Sequence, residues 1–480
     1  MPTQNHSDPI APPPIPARIW KIAAVTGAGA FIAMLDSTVA NLAIESIRDD
    51  LNSTLPVIQW VATGYLIALA VSLPATGWLG NRYGHGRIWS VSLAIFTIGS
   101  ALCALAPGPL SLIGARLLQG LAAGVMVPAG QAILGSVAGS RQLGRIMGSI
   151  GLVVALGPAV GPAFGGFLLE VASWRSLFWI NVPLGIITLL AAQGLVPAGE
   201  TTNGRPLDWK GLILIGLGLP LLLYGATEIG SNQTSLLTLF AVGIGLVLAV
   251  SFIFSSIHTQ NPLIDLSLMQ RGSFAAAAFT TSLTGANMYG GLLLLPLYFQ
   301  LTAGQDVLET GFMLLAMGLG TAVALYFGGM LTDYYSAGPV TIAGSGLLVI
   351  STIPFLFVSH FSVTVLIIIL VVRGVGIALA QMPAYTAAYA SVTNEQMGDA
   401  ATVVNITQRI GGAIGAIGLV IILAQLGGRS SPAAYTWAFG ALTVISVFTI
   451  ATGAILHRYE NADAADRSTR AHVEKIEHPA

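Results

Sequence analysis

Two oppositely charged residues lie inside long apolar stretches of this sequence, Asp36 in the first stretch and Arg116 in the fourth. Almost all other acidic residues fall in polar segments or at the ends of apolar stretches, and Arg116 is the only basic residue deep within the first six stretches. Burial favours the protonated form of a carboxyl group, whereas a neighbouring cation favours the ionised form. Asp36 is therefore predicted to bind and release a proton if Arg116 moves relative to it. The alternative is a static ion pair that holds two helices together.

The remaining charged residues, the cysteine and the histidines are weaker candidates for proton transfer or metal binding. Arg373 and Arg409 are deep in later apolar stretches without a deep carboxylate nearby, so they are expected to bond to backbone carbonyls or amides, with contact to an anionic ligand as the alternative. Glu228 and Asp399 are near the ends of stretches, where water solvates them cheaply. The single cysteine excludes internal disulfides and cysteine-based metal sites, and the seven histidines show no ligand spacing. No metal or other cofactor is expected.

The composition is that of a membrane protein. Of the 480 residues, 54% are hydrophobic and only 8% are charged, and the mean hydropathy is +0.80. Soluble domains carry about 25% charged residues. The net charge of −1 argues against a nucleic-acid partner.

Hydropathy predicts an all-α integral membrane protein with fourteen transmembrane helices arranged as six, two and six. The predicted organisation is a disordered cytoplasmic tail (1–17), an N-terminal six-helix bundle (18–197), two additional helices with linkers (198–272), a C-terminal six-helix bundle (273–456) and a cytoplasmic tail (457–480). The predicted spans are 18–43, 56–80, 87–106, 110–138, 141–170, 176–197, 208–229, 235–257, 273–301, 308–331, 339–358, 362–392, 399–425 and 433–456.

The distribution of basic residues agrees with this topology. With the N-terminus in the cytoplasm, thirteen of the 19 basic residues fall in cytoplasmic segments or at the cytoplasmic ends of spans, three in outside loops and three deep within spans. Cytoplasmic loops of membrane proteins are enriched in Lys and Arg. Both termini are therefore predicted to be cytoplasmic, in the inner membrane of a bacterial cell.

The two six-helix bundles echo each other in sequence. "GWLGNRYGHGR" (77–87) and "GGMLTDYYSAG" (328–338) follow the second span of their bundles, and "LIGARLLQGLAAGVMVPAG" (112–130) resembles "LVVRGVGIALAQMPAYTAA" (370–388). Repeated halves with a site between them near mid-membrane are typical of secondary transporters. The sequence therefore predicts two pseudo-symmetric bundles.

Six motifs in order resemble the major facilitator superfamily, and specifically its fourteen-helix drug:proton antiporter branch. They are "LDSTVANLAI" (35–44), "GWLGNRYGHGR" (77–87), "RLLQGLAAG" (116–124), "GPAVGPAFGG" (157–166), "WRSLFWINVPLG" (174–185) and "NITQRIGGAIG" (405–415). The resemblance covers roughly residues 20 to 456. It implies multidrug or antibiotic efflux, driven by the proton gradient, with Asp36 as the proton carrier and Arg116 as its partner.

The loop motif implies gating residues between the second and third helices, namely Gly77, Gly80, Asn81, Arg82, Gly84 and Arg87. The family usually has an Asp where this chain has Asn81, and that carboxylate helps to latch the cytoplasmic ends of the two halves. The second copy of the motif retains its acid as Asp333. The resemblance therefore predicts a latch that is weakened in one copy only.

A glycine–proline segment is expected to form a close helix contact. Gly157, Gly161 and Gly165 recur every four residues and so share one helix face. Small residues at this spacing let helix backbones approach closely in a membrane. The segment is predicted to be a tight, kinked seam. A functional interpretation that can hold at the same time places the seam at the interface between the halves, where it acts as a dry hinge. Its other residues are Pro158, Pro162 and Gly166, and its expected counterpart is Gly411, Gly415 and Gly418.

Aromatic, methionine and amide side chains in the spans could line a site for a hydrophobic ligand. The candidates are Met34, Tyr65, Met126, Gln131, Asn287, Tyr289, Tyr298, Met382, Tyr385, Asn405 and Gln408. For any one of them, packing against lipid or a neighbouring helix is the alternative. With a single deep acid, a neutral, monocationic or weakly anionic amphiphile is favoured over a dication.

The sequence thus predicts a proton-coupled exporter of lipophilic small molecules, which works by alternating access and is not an enzyme. The alternatives are a proton-coupled importer of a small metabolite and a non-transporting membrane sensor or scaffold. An ATP-driven pump is disfavoured because the GxxxxGK[ST] phosphate loop is absent from the sequence. The predicted partners are the substrate, protons and the lipid bilayer; the sequence contains no adaptor-binding signal.

Overall fold

The chain folds as a series of long helices. The computed structural model describes residues 14–138, 142–201, 206–230, 235–357, 361–426 and 431–477, and these ranges contain helices and connecting turns but no β-strand. Apolar runs take this form in lipid because the helix satisfies its own backbone hydrogen bonds where water is absent.

The helices fall into three groups along the chain. The N-terminal group contains α1 (Ala17–Leu42), α2 (Ile44–Asp50), α3 (Leu55–Ser72), α4 (Thr76–Tyr83), α5 (His85–Ala104), α6 (Pro109–Val137), α7 (Leu143–Val171), α8 (Ser176–Trp179) and α9 (Asn181–Leu195). The central pair is α10 (Trp209–Gly230) and α11 (Leu236–His258). The C-terminal group contains α12 (Gly272–Leu301), α13 (Val307–Tyr335), α14 (Ala337–Thr352), α15 (Val363–Ala390), α16 (Met397–Gln425) and α17 (Pro432–Glu477).

Many of these helices can cross a membrane. Within the described ranges, eleven helical segments are long and apolar enough to do so by length and composition. Leu143–Gly157 and Trp209–Gly225 are apolar but shorter, and α12 is not among the eleven. The chain is therefore a multi-pass membrane protein. At the C-terminal end, α17 continues to Glu477, beyond the predicted end of the last span at residue 456.

The N-terminal and C-terminal groups use the same order of helix contacts. In the first, α6 packs on α3 and α5, and α1 packs on α7 and α9. In the second, α15 packs on α13 and α14, and α12 packs on α16 and α17. Each of these four contacts in one group thus has a counterpart at the same place in the order of the other.

The two groups meet along two seams. One lies between α7 and α13, and the other lies where α16 packs on α4 and α6. Of the central pair, α10 contacts α3 and α16, whereas α11 packs chiefly on α10. Phe240, Val247 and Phe254 of α11 are each at least 60% exposed, as expected for a peripheral helix that faces lipid.

Candidate functional site

Asp36 of α1 and Arg116 of α6 form a buried ion pair. Arg116 Nη1 donates to Asp36 Oδ2 at 2.5 Å, and each side chain is only 1% exposed. The structure therefore brings together the two residues that the sequence predicted to be partners. Such a pair is stable only if its remaining hydrogen-bonding groups are also satisfied, because both charges have lost their hydration.

Four polar groups, one from α6 itself and three from neighbouring helices, complete this pair. Asn181 Nδ2 at the start of α9 donates to Asp36 Oδ1 at 2.7 Å. Arg116 also donates to Gln119 Oε1 at 2.9 Å and, through Nε, to the Val61 carbonyl at 3.0 Å. Gln119 Nε2 in turn donates to Ser100 Oγ at 2.6 Å. The carboxylate therefore links α1, α6 and α9, and its charge state bears on how these three helices hold together.

The C-terminal group contains a related cluster without a carboxylate. Arg373 of α15 is 1% exposed. It donates to Asn287 Oδ1 at 2.7 Å and to Thr352 Oγ1 at 2.6 Å. Asn287 Nδ2 donates to Ser446 Oγ at 2.6 Å. In the shared order of contacts, Asn287 of α12 takes the place that Asp36 takes in α1. The prediction that Arg373 bonds to backbone carbonyls or amides is confirmed, because its Nη2 donates both to Oδ1 and to the backbone carbonyl of Asn287.

A cavity of about 140 Å³ lies between the two groups, next to the ion pair. Its walls come from α1, α3 and α6 on one side and from α12 and α16 on the other; the lining residues are Ala33, Met34, Ser37, Tyr65, Leu66, Leu69, Leu73, Ala123, Gly124, Val127, Pro128, Tyr289, Asn405 and Arg409. The Arg116 guanidinium lies 4.3 Å from the centre of the Tyr65 ring, so Tyr65 separates the ion pair from the cavity. Four of the predicted ligand-binding residues, Met34, Tyr65, Tyr289 and Asn405, thus share one cavity.

Beside this cavity, amide and phenol side chains form hydrogen bonds between the N-terminal and the C-terminal helix groups. Gln131 Oε1 of α6 accepts from Asn405 Nδ2 at 2.6 Å and from the Tyr389 hydroxyl at 3.2 Å. Within the C-terminal group, Tyr385 donates to Gln408 Oε1 at 2.6 Å. Gln131, Tyr385 and Gln408 therefore belong to a polar network beside the cavity and are not part of its lining.

The remaining predicted ligand-binding residues pack in the core or are hydrogen-bonded to another buried side chain. Met126 and Met382 are buried in the hydrophobic core, 0% and 4% exposed. Tyr298 lies in an aromatic cluster with Tyr435, Phe355 and Phe439. Asn287 is committed to Arg373, as described above. Residue type alone could not separate these positions from the cavity lining, since both kinds of environment favour methionine and aromatic side chains.

The glycine seam packs within the N-terminal group. A side chain at Gly157 would collide with Met34, one at Gly161 with Thr38 and one at Gly165 with Val39, all in α1. The prediction that this seam lies at the interface between the halves is therefore wrong, because its glycine face is turned towards α1. Gly166 has open space around it. Pro158 and Pro162 lie within α7, but their side chains lie outside the described residues.

The expected counterpart of the seam repeats this contact in the C-terminal group. A side chain at Gly411 would collide with the backbone of Ser282, and one at Gly415 with Ala286, both in α12. Gly418 has open space around it. The pair α16–α12 is thus built like the pair α7–α1.

Asp333 near the end of α13 binds the first turn of α7. Its Oδ1 accepts from the Gly144 backbone N–H at 2.8 Å, and its Oδ2 accepts from the backbone N–H and the Nε of Arg145 at 3.1 and 3.0 Å. The first turn of a helix carries unpaired N–H groups and partial positive charge, which a carboxylate satisfies. This contact joins the two groups, as the loop motif predicted for its acidic position.

The other copy of the loop motif makes a different contact. Gly77 of α4 packs on the first turn of α16, and any side chain in place of this glycine would collide with Asp399. Asn81 lies one turn later on the same face of α4, and its Oδ1 is 3.3 Å from His85 Nε2. Since the Asp399 carboxylate already occupies the start of α16, a second acid at position 81 would add like-charge repulsion. An asparagine at this position avoids that repulsion.

The rest of the loop motif shapes the turn from α4 to α5. Gly84 has φ +91°, a conformation that favours glycine, and the His85 ring packs against Gly80. Arg82 is exposed and lies 5.8 Å from the ring centres of Trp78 and Tyr83. The side chain of Arg87 is exposed.

Sequence reasoning missed Asn181, Gln119 and Ser100 around the ion pair, and Ser37 in the cavity. Asn181 belongs to "WRSLFWINVPLG", a stretch that carried the family resemblance, and the other three are polar residues within apolar spans. Their polarity was the available signal. Their convergence depends on helix rotation and packing, which the sequence pattern does not specify. Arg409 was considered, but among the described residues it forms none of the expected bonds to backbone carbonyls or amides, and it lines the cavity.

The sequence and the fold both have known relatives. The family model of the Major Facilitator Superfamily matches residues 26–416, and a second match covers residues 278–476. This chain belongs to the Major Facilitator Superfamily. The family resemblance of the six motifs is thereby confirmed, and the protein is a membrane transporter of this superfamily and not an enzyme.

Individual relatives show which members of the superfamily this chain is similar to. The Multidrug resistance protein B homolog of Mycobacterium tuberculosis (strain CDC 1551 / Oshkosh) is 32% identical over 411 residues, which cover 84% of this chain and 76% of that protein. Multidrug resistance protein Stp of the same strain is 29% identical over 404 residues, 83% of this chain and 75% of that protein. The solved structure of the proton:xylose symporter XylE has a TM-score of 0.61 at 13% identity and covers 93% of this chain and 99% of that one, so it supports the fold alone.

Proposed function

We propose that this transporter exports lipophilic small molecules in exchange for protons, with Asp36 as the group that carries the proton. The observation that carries the proposal is the fully buried Asp36–Arg116 pair beside a cavity between the two helix groups. An ionisable residue inside a membrane segment costs about 2.5–3.5 kcal/mol on insertion scales, so its presence is a functional hypothesis by default. Both mycobacterial relatives are named multidrug resistance proteins, which supports export.

The proposed topology has fourteen membrane helices in a bacterial inner membrane. Two pseudo-symmetric six-helix bundles flank the additional helices α10 and α11, and both termini are cytoplasmic. The matching order of helix contacts in the two groups supports this arrangement, as does the excess of basic residues in the segments assigned to the cytoplasm. The proton gradient supplies the energy, and no cofactor is required.

Protonation of Asp36 would change how α1 is held. The ionised carboxylate accepts from Arg116 and Asn181, and protonation removes the charge that makes these bonds strong. From α1, the change reaches α7 through Gly157 and Gly161, whose faces lie directly on it. The first turn of α7 is in turn bound by Asp333 of the opposite group. A continuous series of contacts thus links the proton site to the seam between the groups.

The cavity provides the place for the substrate during alternating access. Its volume of about 140 Å³ is below the 300–1,000 Å³ that is usual for small-molecule sites. Separation of the two groups on one side would enlarge it, because its walls come from both. Substrate and proton would then reach their sites from opposite sides of the membrane in alternate conformations.

Energised inside-out membrane vesicles test this proposal. We expect that addition of a transported lipophilic dye, either fluorescein or rhodamine 123, partly dissipates the pH gradient in vesicles with the wild-type protein. Asp36→Asn should abolish this response at matched expression. Asp50→Asn is the matched control, because it makes the same chemical change at a carboxylate outside the membrane segments. A full response from Asp36→Asn, or no response of the wild type to either dye, would contradict the proposal.

A further inference from the structure

The substrate cavity contains one arginine whose charge is not matched by any group in the part of the chain that the structure describes. Arg409 of α16 lines the cavity, and it forms no hydrogen bond or ion pair with any other described residue. The two other deep arginines are both engaged, Arg116 with Asp36 and Arg373 with Asn287 and Thr352. Among the lining residues that the structure describes, Arg409 is the only charged one.

The other polar groups of the lining differ in what they can offer a ligand. The Ser37 hydroxyl donates to the Met34 carbonyl at 2.8 Å, and the Tyr65 hydroxyl donates to the Ala33 carbonyl at 3.3 Å. Asn405 Nδ2 donates to Gln131 and to the Ala401 carbonyl. The Tyr289 hydroxyl forms no hydrogen bond with another described residue. The unused donors are therefore those of Arg409 and Tyr289.

These two donors lie on two helices that pack against each other, α12 and α16. The Tyr289 ring of α12 lies so close to α16 that a side chain at Gly412 would collide with it. Gly412 follows Arg409 by three residues, which places the two on neighbouring positions of one helix face. Both residues belong to the C-terminal group, so their relative position does not depend on how the two groups rock against each other.

We propose that the cavity binds the anionic group of an amphiphilic substrate, a carboxylate or an ionised phenol, through the Arg409 guanidinium and the Tyr289 hydroxyl. A guanidinium offers several N–H donors in a planar fork that suits a carboxylate. The apolar body of the substrate lies against Met34, Leu66 and Leu69 of the opposite group. This inference rests on the proposed export function and specifies its substrate class.

An equilibrium binding experiment tests the proposal with two dyes that share a xanthene body. Fluorescein is anionic and rhodamine 123 is cationic, and fluorescence anisotropy reports their binding to the purified full-length protein in nanodiscs. We expect fluorescein to bind more tightly than rhodamine 123. Arg409→Gln should weaken fluorescein binding about tenfold to one-hundredfold, whereas Arg409→Lys should retain part of the affinity. The affinity for rhodamine 123 should stay the same or rise in Arg409→Gln.

A pair of glycine variants keeps the test independent of any effect of Arg409 on folding. Gly412→Ala should displace the Tyr289 ring and weaken fluorescein binding. Gly418→Ala, in the same helix but with open space around it, should not. Tighter binding of rhodamine 123 than of fluorescein by the wild type would overturn the proposal, and so would unchanged fluorescein affinity in Arg409→Gln.

No proton gradient is present in this experiment, so its outcome is separate from that of the vesicle assay. If the wild type shows no preference for fluorescein in the binding experiment but exchanges protons in the vesicle assay, the proposed substrate class is wrong and the proposed export function stands. If Arg409→Gln weakens fluorescein binding but transport does not depend on protons, the proposed proton coupling is wrong and the proposed substrate class stands.

Discussion

Replacing Asp36 by Asn should leave the protein folded with a modest loss of stability. The carboxamide retains an acceptor for Arg116 in place of Asp36 Oδ2. Its new N–H groups also have an acceptor within reach, because Asn181 Oδ1 is buried without a hydrogen-bond partner and a flip of that amide would present it. The cluster would then resemble that of Arg373, which is held by an asparagine in this same protein.

The expected magnitude follows from which hydrogen bonds survive. Asp36→Asn keeps the contacts but weakens charge-assisted bonds, which contribute about 1.5–3 kcal/mol each, so a loss of about 1–2 kcal/mol is expected. Asp36→Leu leaves Arg116 as a buried cation without its ionic partner and should cost about 3–5 kcal/mol. Unfolding in mixed detergent–SDS micelles measures the difference between the two variants. Equal losses for both, or failure of Asp36→Asn to fold, would refute this reading of the cluster.

Three further predictions concern contacts outside the ion pair. Asn81→Asp should disfavour closure of α4 on α16, because it adds a second carboxylate near Asp399. Asp399→Asn in the same chain should restore closure. Distances between spin labels on the two helices measure both effects. Asp333→Ala should destabilise the α7–α13 contact by about 1–3 kcal/mol, since it removes a carboxylate from the first turn of α7, and should raise the reactivity of cysteines introduced along that seam. The hydrogen bond from Arg175 lowers the pKa of Asp50 below its ordinary value of 3.8, so the stability from this contact is present above that value and is lost as the pH falls below it. Asp50→Asn should therefore show a smaller loss of thermal stability than the wild type on acidification from about pH 5 to pH 3.

The sequence predicted the helices well because their signal is local. Apolar runs of about 20 residues mark membrane helices whatever their neighbours, and each predicted span is helical in the described ranges. The partnership of Asp36 and Arg116 was also accessible, since few charged residues lie deep in the spans and a buried charge requires a partner.

Contacts between helices could not be predicted in the same way. The glycine spacing identified a close-packing face, but only the fold shows that this face is turned towards α1 and not towards the opposite group. Tyr289 and Tyr298 lie in the same helix and are alike in sequence, yet one lines the cavity and the other packs in an aromatic cluster. Whether the Arg409 guanidinium has a hydrogen-bonding partner likewise depends on the residues around it in the fold, and the residue type does not reveal it.

Transport by the purified protein in proteoliposomes tests most directly whether Asp36 couples substrate movement to protons. Two modes are compared, dye counterflow without a pH gradient and dye accumulation driven by an imposed pH gradient. We predict that the wild type carries out both modes, whereas Asp36→Asn retains counterflow and loses accumulation. Accumulation by Asp36→Asn at the wild-type level would contradict the assignment of the proton to Asp36.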